Sequence, residues 1–217
     1  MTTAIIGAGN IGSAVARHLT AGGEQVVLAA GDEADAAALA GTLGGLASAA
    51  PVKEAIQAAD VVLFAVWFDV LTRLLTEHGA LLDGKVVVDP SNPIGFTADG
   101  TPYRTLPDGQ FQGSLVAAML PAGAHYVKAF GTLNASSLAG AAHRAPRRAV
   151  LFHATDDDRA AEVIERLITL AGFDPVRAGG VAQAGRLEAP SGDLHQAGGL
   201  GGQLPDADQA RGAVTAV

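Results

Sequence analysis

Along the chain, short apolar runs alternate with stretches whose apolar positions recur every three or four residues. Residues 4–6 are such a run. Residues 13–22 then set Ala14, Val15, Ala16 and Leu19 on one face and Arg17 and a solvated His18 on the other, which is helical spacing. Gly22 and Gly23 end that helix, and residues 26–29 form a second buried strand. The strand–helix–strand unit spans about thirty residues, the size of a parallel crossover. The alternation continues with an Ala-rich helix over 33–42 and a helix over 51–59 opened by Pro51. A strand follows over 61–66, an amphipathic helix over 69–78 and a strand over 85–89. Further on come a helix over 114–120, a strand over 125–130 and a small-residue helix and linker over 132–146. A strand over 149–154, a helix over 159–171 and a short strand over 173–176 complete the series. Residues 94–110 show no period and read as a loop, and residues 179–202 are Gly-rich and loop-like.

Strands alternating with helices predict an α/β fold: a Rossmann-like, doubly wound, mostly parallel sheet with helices on both faces. Residues 1–178 are expected to form this dinucleotide-binding domain. Residues 179–217 are expected as a Gly-rich C-terminal segment packing on the cleft or on a dimer mate.

The turn after the first strand carries the chemistry. Gly7, Gly9 and Gly12 have the spacing G-x-G-x-x-G between an apolar strand and an amphipathic helix. Gly7 permits the tight turn, Gly9 lets a pyrophosphate approach the backbone, and Gly12 lets the helix pack on the strand. Asn10 and Ile11 open that helix, whose free N–H groups face the phosphates. The end of the second strand selects the ribose and reads Ala29-Ala30-Gly31-Asp32-Glu33. An acid there bonds the 2′-hydroxyl of NAD(H), and an arginine accommodates the 2′-phosphate of NADP(H). Ala30 stands at the usual acid position, and Asp32 two residues later either reaches the ribose or caps the next helix. Trp67, the only tryptophan, follows a strand end and either lines the nicotinamide or packs a helix start. Asp156, Asp157 and Asp158 read as helix-capping rather than metal-binding, so no metal is expected. Arg144, Arg147 and Arg148 read as a solvated rim.

Composition narrows the class. Hydrophobic residues make up 49% of the chain and aromatics 5%, so the core is built from Ala, Val and Leu. The formal net charge of −8 argues against nucleic-acid binding. The absence of cysteine excludes thiolate chemistry. No apolar run reaches membrane-spanning length, and the N-terminus lacks a basic leader; a cytoplasmic protein without a membrane partner is expected.

Three stretches together resemble the NADPH-dependent deazaflavin (coenzyme F420) reductase family: residues 6–12, residues 86–93 with Val-Val-Val-Asp-Pro-Ser-Asn-Pro, and residues 127–133 with Val-Lys-Ala-Phe-Gly-Thr-Leu. The resemblance covers residues 2–190. It implies NADP(H), a homodimer, and Ala65, Val66, Asn92 and Ala129 at the nicotinamide edge. Ala30-Gly31 stands where the family has Ser-Arg, which removes expected 2′-phosphate contacts and leaves NAD(H) open. Gly131 stands where the family has Asn. The implied reaction is hydride transfer between the dinucleotide and a deazaflavin or flavin. A reductase of a small C=N or C=O substrate is a second reading and requires a proton donor, with His195 the first candidate and Tyr126 the second. A non-catalytic, dinucleotide-binding redox sensor is the third.

Overall fold

The computed structural model describes residues 1–216. Its first half is β1 (Thr2–Ile6), α1 (Asn10–Ala21), β2 (Gln25–Ala29), α2 (Glu33–Leu43), β3 (Ala47–Ala49), α3 (Val52–Ala58), β4 (Val61–Phe64), α4 (Phe68–His78) and β5 (Val86–Asp89). A small antiparallel hairpin of β6 (Ile94–Phe96) and β7 (Pro102–Arg104) follows, then α5 (Gln112–Met119), β8 (His125–Lys128) and α6 (Ala135–Gly140). The remainder is β9 (Val150–Ala154), α7 (Asp158–Leu170), β10 (Asp174–Gly179), α8 (Ala184–Leu187) and α9 (Ala207–Thr215).

Eight strands form one sheet in the order β10-β9-β8-β5-β4-β1-β2-β3. The six from β8 to β3 are parallel; β9 meets β8 antiparallel through a single bridge, Lys128 with Ala154, and β10 runs parallel to β9. The central strands read as unbroken apolar runs because both faces are covered. On one face Ile5, Leu28, Leu63, Val88 and Val127 pack with Val15, Leu19, Ile164 and Leu167 of α1 and α7. On the other Ile6, Val62, Phe64 and Val87 pack with Ile56, Leu71, Leu75 and Val116 of α3, α4 and α5. The expected doubly wound, mostly parallel architecture is the one present.

Several expectations change. The stretch 94–110 contains the β6–β7 hairpin, where Gly95 fits because a Cβ there would lie 2.7 Å from the Tyr103 ring. The edge strand β3 has only three residues, two of them exposed to solvent, and so leaves no apolar run to read. The Gly-rich C-terminal segment is not all loop. It carries α8 and α9, the latter opened by a capping box between Asp206 and Gln209. Leu187, Leu194 and Ala210 from this segment cover Val150, Phe152 and Val176 of β9 and β10. Two of the three arginines expected at a solvated rim also touch the segment: Arg144 donates to the Leu204 carbonyl at 3.1 Å, and Arg147, still exposed, pairs with Asp206 at 2.6 Å. His18 is part-buried, its Nε2 2.9 Å from the Leu138 carbonyl oxygen and its ring edge-on to Phe173.

Candidate functional site

Strand order reverses between β1 and β4, which is where an open α/β sheet leaves a crevice at its carboxyl edge. The turn from β1 to α1 borders that crevice. Gly7 has φ of +114°, its N–H donates to the Ala29 carbonyl at 2.7 Å, and a Cβ on it would sit 2.2 Å from the Ala65 carbonyl oxygen. A Cβ on Gly12 would sit 1.9 Å from the Gly7 oxygen. Both glycines are therefore demanded by the chain's own packing. Gly9 is different. Its φ is −72°, which any residue adopts, and nothing lies within 4 Å of where its Cβ would be. The open side of Gly9 and the first turn of α1, which holds no acidic residue, form a cradle suited to a pyrophosphate.

From this turn a cavity of about 450 Å³ runs along the strand ends. Gly9, Asn10 and Ile11 form one end. Ala65, Val66 and Trp67 follow from β4, and Pro90, Ser91 and Asn92 from β5; Ile94 and Phe96 come from the hairpin. Leu133, Asn134 and Ala135 precede and open α6, and Ala189, His195 and Ala197 from the C-terminal segment close the far wall. Of the residues expected from sequence, Gly9, Asn10, Ile11, Ala65, Val66, Trp67, Asn92 and His195 thus converge. Ala129 does not line the cavity: it is buried in the core just past β8, with its N–H on the Asp89 carbonyl. Ala30, Gly31 and Asp32 lie beyond the cavity at the end of β2. Asp32 caps α2, its Oδ1 accepting from the Ala34 N–H at 2.9 Å. The Asp156–Asp158 run is likewise engaged locally. Asp157 caps α7, Asp158 pairs with Arg177, and Asp156 accepts from the Val181 N–H.

Beneath the cavity lies a buried polar network that the sequence pattern did not single out. Lys128 Nζ donates to Asp89 Oδ2 at 3.1 Å and to the Ser91 carbonyl, and both side chains of the pair are almost fully buried. Tyr126 Oη donates to the same carboxylate oxygen at 3.0 Å. Burial, then the Asp89 charge, pushes the phenol far above its ordinary range. Tyr126 is thus sealed under the sheet edge and is not the expected proton donor. The other Asp89 oxygen accepts from the Ser91 N–H at 2.9 Å and from the Ser91 hydroxyl, to which Gln112 Nε2 also donates. Glu188, fully buried, accepts from the backbone N–H groups of Gly113 at 2.8 Å and Gln112 at 3.2 Å at the start of α5. Burial raises its carboxyl, although Lys128 and those two amides act the other way. A lysine inside an apolar strand implies a buried partner, so Lys128 was findable; Glu188 sits among glycines and gave no signal.

Two side chains in the cavity wall are also structural. Asn92 donates to the Gly131 carbonyl and accepts from the Ala189 N–H, each at 2.9 Å. Its amide thereby joins the β5 loop to the C-terminal segment, and its place beside the cavity does not leave that amide free. Gly131 is needed for the same approach, since a Cβ there would lie 2.3 Å from the Pro90 carbonyl oxygen. His195 Nδ1 accepts from the Ala197 N–H at 3.0 Å. Burial, with Lys128 adding to it, lowers the imidazole to about 4, against an opposing hydrogen bond to the Gly131 backbone. The ring is neutral at pH 7 and holds no imidazolium proton to give.

Residues 2–93 match the family model described as NADP oxidoreductase, coenzyme F420-dependent. A hypothetical protein, SMa0349, from Sinorhizobium meliloti is 34% identical, with a TM-score of 0.77 over 87% of this chain and 90% of that one. The chain belongs to this F420-dependent NADP oxidoreductase family. Family membership makes it an NAD(P)H-dependent oxidoreductase. A protein of Arthrobacter sp. FB24 described as a putative F420-dependent NADP-reductase shares the fold at 24% identity, TM-score 0.72, over 84% of this chain and 86% of its own. A reductive aminase from Aspergillus terreus, in complex with NADPH, cyclohexanone and allyl amine, shares it at 20% identity and TM-score 0.62. This family member covers 83% of its own length in that match and 55% of the aminase. Among curated proteins there is no match. Among the described residues no helix is long and apolar enough to cross a membrane.

Proposed function

We propose that the protein transfers a hydride between a nicotinamide dinucleotide and a flat conjugated acceptor, a deazaflavin or flavin. The observation that carries this is the continuity of one apolar cavity from the Gly9 cradle past Trp67 and Phe96, with no charged acid or base in its wall among the described residues. Hydride transfer between stacked rings needs alignment more than proton chemistry. When bound, the dinucleotide supplies the hydride and the acceptor takes it together with one proton from water. Gly9, Asn10 and Ile11 would hold the pyrophosphate on the α1 N-terminus. Ala65 and Val66 would set the nicotinamide against the strand ends. Ala189 and Ala197 would complete the wall from the C-terminal segment.

The family's description favours NADP(H). The chain's own β2 end offers Asp32, Glu33 and Asp35 where the α2 turn begins, which suits a ribose hydroxyl better than a second phosphate. Paired calorimetric titrations with NADPH and NADH therefore come first, followed by anaerobic mixing of the preferred dinucleotide with a deazaflavin or flavin. His195→Ala separates this reading from direct reduction of a small C=N or C=O substrate, which the place of His195 in the wall favours. Hydride transfer to a ring should persist in that variant within about threefold. A loss of about a hundredfold or more, the scale of a removed general acid, would favour the small-substrate reading. Binding without turnover of any acceptor would favour a redox sensor.

A further inference from the structure

Ser91 stands at the cavity wall with its own polar groups engaged from behind. Its N–H and its hydroxyl both donate to Asp89 Oδ1, its hydroxyl oxygen accepts from Gln112 Nε2, and its carbonyl accepts from Lys128 Nζ. Asp89 sets the direction of these bonds. A carboxylate facing the Lys128 ammonium at 3.1 Å can only accept. The single proton of the Ser91 hydroxyl is therefore spent on Asp89, and Gln112 must offer its amide N–H rather than its oxygen. A serine oxygen has two lone pairs. Gln112 takes one, and the other has no partner among the described residues. Pro90 beside it has no N–H. The Asn92 amide is spent on Gly131 and Ala189, and His195 Nδ1 on the Ala197 N–H. The end of β5 thus offers the cavity an acceptor of fixed orientation. A buried Asp–Lys pair is weak evidence for stability; the effect of this one is to hold the Ser91 hydroxyl in one direction.

Position decides what that acceptor meets. Strands β4 and β5 run side by side with Leu63 opposite Val88. Counted on from that pair, Ala65 and Val66 leave the sheet alongside Pro90 and Ser91, and all of them line the cavity. A nicotinamide has one kind of hydrogen-bond donor, the N–H groups of its carboxamide, because its ring nitrogen is bonded to the ribose. We infer that Ser91 Oγ accepts from the carboxamide N–H of the nicotinamide. This role rests on the hydride-transfer reading, which sets that ring at Ala65 and Val66. The bond fixes the rotation of the ring about its link to the ribose, so that one face is turned to the acceptor. Asp89, Lys128 and Gln112 are then positioning residues, acting through Ser91.

The 3-acetylpyridine analogues of NAD and NADP make the test, because a methyl group replaces the carboxamide nitrogen and the rest of the molecule is the same. Calorimetric titration of each needs no acceptor and no turnover. The unaltered protein should bind its preferred dinucleotide about three- to tenfold more tightly than the matching analogue, the scale of one neutral hydrogen bond. In Ser91→Ala that ratio should fall to within about twofold, while Ser91→Thr, which keeps a hydroxyl, should retain it. Ser91→Cys, whose sulfur accepts weakly, repeats the comparison if the alanine variant does not fold. ADP-ribose, with the 2′-phosphate if NADP is preferred, carries the pyrophosphate without the nicotinamide and should bind every folded variant alike. Equal binding of dinucleotide and analogue by the unaltered protein overturns the inference, and so does a preference undiminished in Ser91→Ala or Ser91→Cys. A KM raised in those variants for the flavin alone, with the analogue ratio unchanged, would put the serine on the acceptor ring and overturns it too. Each of these results leaves the hydride-transfer reading standing. Failure of the unaltered protein to bind NADPH, NADH and ADP-ribose removes that reading, and the role of Ser91 with it.

Discussion

Gly7, Gly9 and Gly12 share a motif but not a reason. A side chain on Gly7 or Gly12 would run into backbone oxygens of this same chain, so those two are structural. Only Gly9 faces open space with a backbone angle that any residue adopts. Gly9→Ala should therefore leave the unfolding midpoint nearly unchanged. It should weaken NADPH or NADH binding by about tenfold or more, because the added methyl stands where the pyrophosphate approaches. Gly7→Ala should instead destabilise by roughly 2–4 kcal/mol, from the left-handed angle and the overlap with the Ala65 carbonyl oxygen. Calorimetric titration beside urea unfolding of each variant separates the two kinds of glycine. Loss of stability in Gly9→Ala would show that the cradle is part of the packing after all.

At the scale of elements, the C-terminal segment is held by a few named contacts. Ala210 of α9 packs against strands β9 and β10, Asp206 pairs with Arg147, and Arg186 donates to the Ala213 and Val214 carbonyls. The cavity wall at Ala189 and His195 is anchored separately, through Asn92 and through the Gln196 side chain on the Asn134 N–H. Deleting residues 206–217 should cost roughly 2–4 kcal/mol from lost packing and charge-assisted hydrogen bonds. For a chain of this size that lowers Tm by about 5–15 °C. Dinucleotide affinity should not change, since α9 does not line the cavity. A concurrent loss of binding would show that α9 also sets the wall.

At the scale of the whole molecule, stability should depend on pH through its buried histidines. His153 in β9 is fully buried; burial, then the Arg177 charge, lowers it to about 4 despite Glu165 Oε1 at 3.2 Å from its Nε2. His195 is lowered to about 4 as well. Both folded values lie below the ordinary 6.5, so the unfolded chain binds more protons between those limits. Their stabilisation is complete above about pH 7 and is lost as pH falls through 6.5 towards 4, by about 2 kcal/mol per histidine at pH 5. The raised carboxyl of Glu188 opposes this, because there the folded state holds the extra proton. Urea midpoints should fall from pH 7 to pH 5, and His153→Leu should flatten that slope by about half. An unchanged slope would mean that His153 finds a proton-stabilising partner when charged.

Much of this was legible in the residue pattern. Strands β1, β4 and β5 are apolar runs because both sheet faces are covered, and α1, α4 and α7 show helical spacing because each buries one stripe. Those local periods, with the glycine spacing at residues 7–12, sufficed for the fold class and the dinucleotide turn. That the C-terminal segment lies on the cleft or on a dimer mate was an expectation, but the contacts by which it closes the cavity were not legible. Ala189 and His195 lie about a hundred residues from Asn92 in sequence, and only the folded chain brings them to one wall. The partners of Lys128, the neutrality of His195 and the cation-free lining likewise depend on distances between remote segments and on exclusion of water. Local sequence sets which elements form and which faces they bury; the charge and shape of the space between them arise only when the sheet is wound and its C-terminal segment laid across it.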